Sequence, residues 1–307
     1  MPRRMETQDY SMLFLLAAIW GASFFFIKIA VGEMSPVFLV FWRTVSAAAG
    51  LAIALPLARI PLSALRRHWK AGLVIAITNA ALPYTLIAFG ETHIDSSLAG
   101  ILNATAPLWT ALLGPLWAEA EGLHPRQYAG LALGFLGTVI LARPTGSALG
   151  SSSLGVLAVV VATLSYAFAT HFSKRHFQET PALVPAFLQC AFGALLLLPL
   201  VPFTLPAHTP SLLAMVSVAW LGLGATGLAM VISFWLIKRI GASRTIVVTY
   251  LIPPFALGYG VFLLHEKISA VIIAAMALIL AGVFLNTTAG HRLGPVAPDE
   301  AVMELEA

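Results

Sequence analysis

Ten separate apolar runs take up most of this 307-residue chain. A helix needs about 20 apolar residues to cross the roughly 30 Å hydrocarbon core of a bilayer, and nearly all of the runs reach that length. The fifth run is short and rich in glycine, and it counts as a span mainly because the remaining pattern requires it. The runs cover residues 10–31, 36–57, 71–90, 96–118, 127–141, 154–172, 183–201, 212–237, 242–264 and 268–285.

The composition points to lipid as the solvent of the chain. Hydrophobic residues make up 59% of it and charged residues only 10%, against about 25% charged in soluble domains. The mean hydropathy is +0.91. The formal net charge of +4 does not indicate a nucleic-acid partner, because the basic residues lie in short loops rather than on one face or in an arm. The sequence therefore predicts an integral membrane protein whose partners are the lipid bilayer and a small-molecule substrate.

Lysine and arginine divide unevenly between alternate loops. With the N-terminus in the cytoplasm, the inside loops carry Arg3, Arg4, Arg59, Arg66, Arg67, Lys70, Arg126, Lys174, Arg175, Lys238, Arg239, Arg244 and Arg292. The outside loops carry only Lys28, Arg143 and Lys267. This positive-inside bias predicts that both termini are cytoplasmic, and we expect the protein to reside in a bacterial inner membrane.

A constant offset of 146 residues relates the first half of the chain to the second. It pairs Lys28 with Lys174, Glu33 with Glu179, Ser97 with Ser243, Pro107 with Pro253 and Gly114 with Gly260, and an offset of 145 then pairs Glu121 with Glu266. Because each half has an odd number of spans, the second half runs opposite to the first, as in many secondary transporters. We therefore predict an all-α fold of ten transmembrane helices in two inverted five-helix repeats around a central cavity.

The segment boundaries follow from the same comparison. The first repeat covers residues 10–142 and the second covers residues 154–287, joined by a linker at 143–153 that is rich in Pro, Gly and Ser. Residues 288–307 form an acidic, proline-containing cytoplasmic tail. We expect a monomer or a weak homodimer.

Several short motifs resemble the EamA-type members of the drug/metabolite transporter superfamily. The opening motif is Trp20-Gly21-Ala22-Ser23-Phe24 with Lys28, followed by Ser35-Pro36 and Arg43. The motif that closes the first half comprises residues 107–114, Glu121, Gln127, Gly130 and Gly137. The motif that closes the second half comprises Pro253, Glu266 and Gly282. The resemblance spans about residues 10–287. It implies two inverted five-helix bundles, a central cavity and the export of small metabolites, commonly amino acids or drug-like compounds.

Aromatic and amide side chains near the middle of the spans are candidates for substrate contacts. By helical rise, Trp20, Tyr84, Tyr166 and Tyr250 lie near the bilayer centre, away from the interfaces that aromatic residues usually occupy. Trp109 is also deep, and polar Asn79 and Asn103 share this depth. These residues predict a partly hydrated, aromatic-lined cavity. The alternative is that the rings only fill the bundle, with their hydroxyls bonded to backbone carbonyls.

Arg43 lies inside the second span, where a guanidinium must be paired or hydrated. Either it tethers loops through Glu33, Glu91 or Asp95, or it binds a substrate carboxylate. Lys28, closer to the interface, is expected to extend its ammonium towards water. We find no acidic residue in the middle of any span. Ion coupling would therefore use edge residues such as Glu33 or Glu266, or the protein is a facilitator driven by the substrate gradient.

Pro107 and Pro253 occupy matched positions in the fourth and ninth spans. A proline inside a helix removes one backbone hydrogen bond, so both helices could bend there during gating, or they could hold a static kink. A passive channel is the main alternative to a carrier. An intramembrane serine enzyme would need a base near Ser23 or Ser243, which the sequence does not provide. Without nucleotide or metal motifs, we predict no cofactor and no ATP-driven activity.

Overall fold

The computed structural model describes residues 5–117, 124–142, 149–245 and 247–289, and in these ranges all regular structure is helical. The α-helices are α1 (Thr7–Val31), α2 (Pro36–Leu57), α3 (Leu62–Arg67), α4 (Trp69–Ala76), α5 (Leu82–Glu91), α6 (Ser96–Asn103), α7 (Ala106–Leu113), α8 (Pro125–Leu141), α9 (Leu149–His176), α10 (Leu183–Leu197), α11 (Leu212–Ala219), α12 (Ala229–Ile240), α13 (Ala242–Thr245), α14 (Val248–Leu264) and α15 (Ala270–Ala289). Glu121, most of the predicted linker and the acidic tail lie outside the described residues.

Eight helical stretches of the described chain are long and apolar enough to cross a membrane. They are Thr7–Val31, Pro36–Leu57, Trp69–Glu91, Ser96–Trp117, Ser153–His176, Leu183–Phe203, Leu212–Ile237 and Ala270–Thr288. Each matches a predicted span to within a few residues. The ninth predicted run is divided between α13 and the 17-residue α14, and the fifth forms the 17-residue α8. The count of ten spans and the inverted repeat therefore stay predictions.

Helix direction alternates along the chain, and contacts between turns define two ends of the bundle. At one, which we call the outer end, the Ser35 hydroxyl before α2 donates to the Thr204 carbonyl at 2.9 Å. At the opposite, inner end, His68 Nε2 beside α4 lies 3.1 Å from Thr180 Oγ1. Ser35 also caps α2 by accepting from the Phe38 N–H, and Pro36 follows as the first helical residue.

The helices α8 and α15 form the most extensive helix pair, and glycines allow the close approach. A Cβ at Gly130 would lie 2.6 Å from the Gly282 carbonyl oxygen, and one at Gly282 would lie 2.6 Å from the Gly134 nitrogen. Membrane helices associate through such packing of small residues, because lipid supplies no hydrophobic drive between them. Neither α8 nor α15 contributes a residue to the polar cluster described in the next subsection.

Three of the long helical stretches depart from regular α-helix near the middle. The π-helical segment Ile77–Ala81 joins α4 to α5, and a second π-helical segment, Trp220–Leu228, joins α11 to α12. The 146-residue offset places these two segments at corresponding positions. The predicted fourth span is broken between α6 and α7, so Pro107 is the second residue of a new helix, whereas Pro253 lies inside the continuous α14.

Candidate functional site

Arg43 is the buried charge around which the candidate site is built. It projects from α2 with 7% of its surface exposed. Its guanidinium carbon lies 3.9 Å from the centre of the Tyr84 ring, and its Nε donates to the Thr226 hydroxyl at 3.2 Å. Within the described chain no carboxylate forms an ion pair with it, so the expected tether to Glu33, Glu91 or Asp95 is not formed. A ring face and a hydroxyl stabilise the charge without neutralising it.

A second polar pair repeats this arrangement with the halves exchanged. Asn79 Nδ2 donates to Gln189 Oε1 at 2.7 Å. Gln189 stands 146 residues after Arg43, and Asn79 corresponds to residue 225, next to Thr226. In each pair one partner comes from a long helix and the other from a π-helical segment. Such segments are rare and occur often at functional sites, because the extra residue redirects side chains and backbone groups.

Aromatic side chains surround these two pairs. The rings of Tyr84 and Tyr166 meet edge to face, with centroids 6.4 Å apart. Trp20 Nε1 donates to the Ala225 carbonyl at 3.1 Å, inside the second π-helical segment. We call Trp20, Arg43, Asn79, Tyr84, Tyr166, Gln189 and Thr226 the central cluster. Gln189 Nε2 is buried in it with no hydrogen-bond partner among the described groups, which leaves both of its N–H donors available to a ligand.

The other predicted site residues lie elsewhere. The Trp109 ring packs edge to face on Phe135 of α8, at 4.6 Å between centroids. The Tyr250 hydroxyl donates to the Val283 carbonyl at 3.2 Å and also contacts the Thr287 hydroxyl, both on α15. Asn103 ends α6, and its buried Oδ1 has no hydrogen-bond partner among the described residues. No described contact joins these three residues to the central cluster. The Trp109 Nε1 is buried with no hydrogen-bond partner among the described groups, and a substrate-binding role for the three residues stays a prediction.

Sequence reasoning did not select Gln189 or Thr226 as site residues. The 146-residue offset marked Gln189 as the counterpart of Arg43, and this was the signal that could have found it. Nothing in the residue pattern indicates a π-helical segment, so the approach of Thr226 to Arg43 was not predictable. No group of three or more His, Cys, Asp and Glu side chains in the described residues is arranged to hold a metal ion.

At the outer end, the carboxylates of Glu33 and Glu266 accept hydrogen bonds from residues at the start of α11 and of α6. Glu33 accepts from the Ser211 N–H at 2.5 Å and from the Ser211 hydroxyl at 2.6 Å, at the start of α11. These two hydrogen bonds lower the pKa of Glu33, the hydroxyl contributing most. Glu266 accepts from the Ser96 N–H and hydroxyl, both at 2.7 Å, and from the Ser97 N–H at 3.0 Å. We call these contacts of Glu266 the α6 clamp.

Lys28 binds protein groups rather than extending to water, contrary to the expectation from its position. Its ammonium donates to the carbonyls of Glu91 and Ile94, each at 2.7 Å. A cation is favourable there because unpaired carbonyls collect at the C-terminal end of α5. Close by, partial burial of the carboxyl and the charge of Glu266 raise the pKa of Asp95, and Lys28 opposes them.

Cavities lie at both ends of the bundle. One of about 710 Å³ at the inner end is lined by Arg67, His68, Arg175, Glu179 and neighbouring residues, and one of about 460 Å³ at the outer end is lined by His93, Asp95, Lys267 and neighbouring residues. Ion pairs from Arg239 on α12 to Glu6 and Asp9 also hold the inner end. Glu179 is the counterpart of Glu33, yet it faces the inner cavity instead of capping a helix. At the outer end α6 packs along α14, whereas α7 packs chiefly on α9 and α15. The fourth span, formed by α6 and α7, therefore contacts α14 in its outer half and diverges from α14 in its inner half.

Eight apolar spans in the described chain, with a buried polar and aromatic cluster among them, define an integral membrane protein. The chain belongs to the EamA-like transporter family, whose sequence model matches residues 9–143 and again residues 153–288. It is thus a membrane transporter of small metabolites, and the predicted membership of this family is confirmed.

Relatives with similar sequences carry transporter names. The chain is 26% identical over 272 residues to the uncharacterized transporter YoaV of Bacillus subtilis, covering 88% of this chain and 93% of that protein. It is 26% identical over 295 residues to a probable amino-acid metabolite efflux pump of Salmonella typhimurium, covering 92% and 95%. A solved crystal structure superposes on it with a TM-score of 0.66 at 21% identity, covering 94% of this chain and 100% of the other, which shows a shared fold.

Proposed function

We propose that the protein is a secondary transporter that exports amino acids with apolar or aromatic side chains, and related amphipathic compounds, by alternating access. The observation that carries the proposal is the buried guanidinium of Arg43, which has a ring and a hydroxyl beside it but no described carboxylate. A substrate carboxylate supplies the missing negative charge through paired hydrogen bonds. The Tyr84, Tyr166 and Trp20 rings then offer apolar surface to the side chain of the substrate.

The proposed architecture is the ten-helix inverted repeat, placed in a bacterial inner membrane with both termini in the cytoplasm. The family matches the chain twice, over segments that agree closely with the two predicted repeats. The pairs Arg43–Thr226 and Gln189–Asn79 are further support, because both use corresponding positions of opposite halves. Inverted repeats of this kind place their site at the interface between the halves, which is where the central cluster lies.

Alternating access is supported by the difference between the two ends. In this structure Glu33 holds the start of α11 at the outer end, while its counterpart in the second half, Glu179, lines a cavity at the inner end. Two halves that are similar in sequence can exchange these roles, so the opposite state would open the outer end and close the inner one. Relatives named as probable amino-acid metabolite efflux pumps support an outward direction and an amino-acid substrate.

The test is counterflow in proteoliposomes with labelled phenylalanine, leucine, a nucleoside and an organic cation. We expect saturable counterflow of the amino acids. Arg43→Gln removes the charge and should reduce amino-acid counterflow about tenfold or more, the equivalent of losing a charge-assisted hydrogen bond, while sparing neutral or cationic compounds. Equal loss for every compound together with a lower melting temperature would assign Arg43 to stability. Flux that does not saturate and shows no counterflow would establish a channel.

A further inference from the structure

Glu91 is a buried carboxyl that neither the packing nor the central cluster uses. It is the last residue of α5, at the outer end, and none of its surface is exposed. Neither carboxyl oxygen has a hydrogen-bond partner among the described groups. Lys28 contacts the backbone carbonyl of Glu91, not its side chain. An ionised carboxylate in this position would lack both water and a donor, and proteins avoid that arrangement by keeping the group neutral.

The charged neighbours of Glu91 come from several elements. They are the cations Lys28 on α1 and Arg43 on α2, and the carboxyl group of Glu266 beyond α14. His93 and Asp95 lie in the turn that follows α5, and α6 has no ionisable residue. On α9 the ionisable residues are Tyr166 and, at the inner end, His171, Lys174, Arg175 and His176. The two cations do not donate to the carboxyl oxygens of Glu91, so burial decides its state.

The position of Glu91 ties its protonation to the state of the outer end. Its backbone carbonyl is held by Lys28, and the same turn leads within five residues to Ser96, the first partner of the α6 clamp. Opening the outer end separates α6 from Glu266 and admits water between α1, α5 and α6. Hydrated, a glutamic acid ionises at ordinary pH.

We propose that Glu91 is a proton-binding site that links closure of the outer end to the uptake of one proton. On closure the ionised carboxylate takes a proton from the outer solution onto one oxygen and is buried as the neutral acid; on opening that O–H bond breaks and the proton returns to water. The proton is thus a second ligand of the transport cycle. The inference rests on the proposed alternation of the two ends, and it does not depend on the identity of the substrate.

The experiment measures access to the outer end without any substrate. Ser97→Cys, in a Cys190→Ala background, places a thiol under the α6 clamp, where Ser97 is 3% exposed. Its backbone N–H still reaches Glu266. Proteoliposomes are treated from the outer side with a membrane-impermeant thiol reagent over a series of outer pH values. The rate is divided by that of Thr209→Cys, an exposed outer residue, which corrects for the pH dependence of the reagent. The titration of the buried thiol itself is the same in Glu91→Gln, so the difference between the two profiles belongs to Glu91.

We expect the normalised rate to rise with outer pH, by up to about tenfold per pH unit for one linked proton. Glu91→Gln should remain closed and label slowly at every pH. The control Asp95→Asn removes the neighbouring carboxyl and should keep the pH dependence. A flat profile with Glu91 present, an unchanged profile in Glu91→Gln, or a flat profile in Asp95→Asn would each overturn the proposal.

If Glu91→Gln does not purify as folded protein, Glu91→Asp replaces it. Moving the carboxyl by one methylene should shift the midpoint of the pH profile, and an unshifted midpoint would refute the assignment. Because labelling needs no substrate, loss of amino-acid counterflow leaves this result interpretable. Conversely, a flat labelling profile leaves the proposed transport activity standing.

Discussion

Arg43 is a buried charge with no ion-pair partner among the described side chains. A buried guanidinium in a membrane protein costs several kcal/mol unless it is compensated, and the protein compensates it only in part. The Tyr84 ring and the Thr226 hydroxyl hold it in place. The sequence identified Arg43 as costly, but it could not identify these partners, because Thr226 is brought to it across 183 residues by the packing of two helices.

Buried Tyr84 and half-buried Trp109 should separate function from packing. Tyr84→Ala removes the ring over Arg43, and the loss of a cation–π contact of about 1 to 2 kcal/mol should slow amino-acid counterflow about tenfold. Tyr84→Phe retains the ring face and should transport nearly normally. Trp109→Ala leaves a cavity against Phe135 and should lower the free energy of unfolding by about 3 to 5 kcal/mol.

These three variants are compared by counterflow and by thermal unfolding in the same detergent. In Trp109→Ala the folded fraction should transport at the normal rate. Normal counterflow in Tyr84→Ala would mean that the central rings only pack.

Among the elements, α14 and the α6–α7 pair carry the prolines predicted for gating. Pro107 starts a helix, where a missing N–H costs nothing, while Pro253 interrupts the hydrogen bonding of a continuous helix. Replacing both with Ala should slow exchange and leave substrate affinity nearly unchanged. Pro254 also lies inside α14, so the control is Pro125→Ala, which replaces an exposed proline at the first position of α8. Unaltered exchange in the double variant would leave the two prolines as shape-setting residues.

The α8–α15 pair allows a stability prediction at the same scale. Gly282→Ala places a methyl group against the backbone of Gly130 and Gly134, so the helices must separate. We expect a loss of about 1 to 3 kcal/mol, as for other overpacked contacts. Gly258→Ala is the control, since a Cβ there meets no atom within 4 Å. Thermal unfolding of the two variants should differ clearly, and equal melting temperatures would contradict the close approach.

For the whole molecule, the sequence predicted where the long helices begin and end, but it did not predict the irregular segments within them. Span ends follow from turn residues and apolar length, so α2 begins at Pro36 and ends at Leu57 as predicted. The two π-helical segments and the break before α7 depend on tertiary packing and have no hydropathy signature. Glu91 was recognised only as a possible partner of Arg43, because sequence position gives neither the burial of a helix end nor the fact that Lys28 reaches its carbonyl.

The topology can be tested with two exposed positions at opposite ends of the bundle. Ser63 lies in the inner-end segment before α4, and Thr209 lies before α11 at the outer end. The excess of Lys and Arg in the inner loops predicts that the inner end faces the cytoplasm. In right-side-out vesicles, an impermeant thiol reagent should therefore label Thr209→Cys at once and Ser63→Cys only after permeabilisation. Labelling of both from one side would contradict the arrangement of the helices, whereas reversed labelling would keep the fold and invert its orientation, making the outer end cytoplasmic.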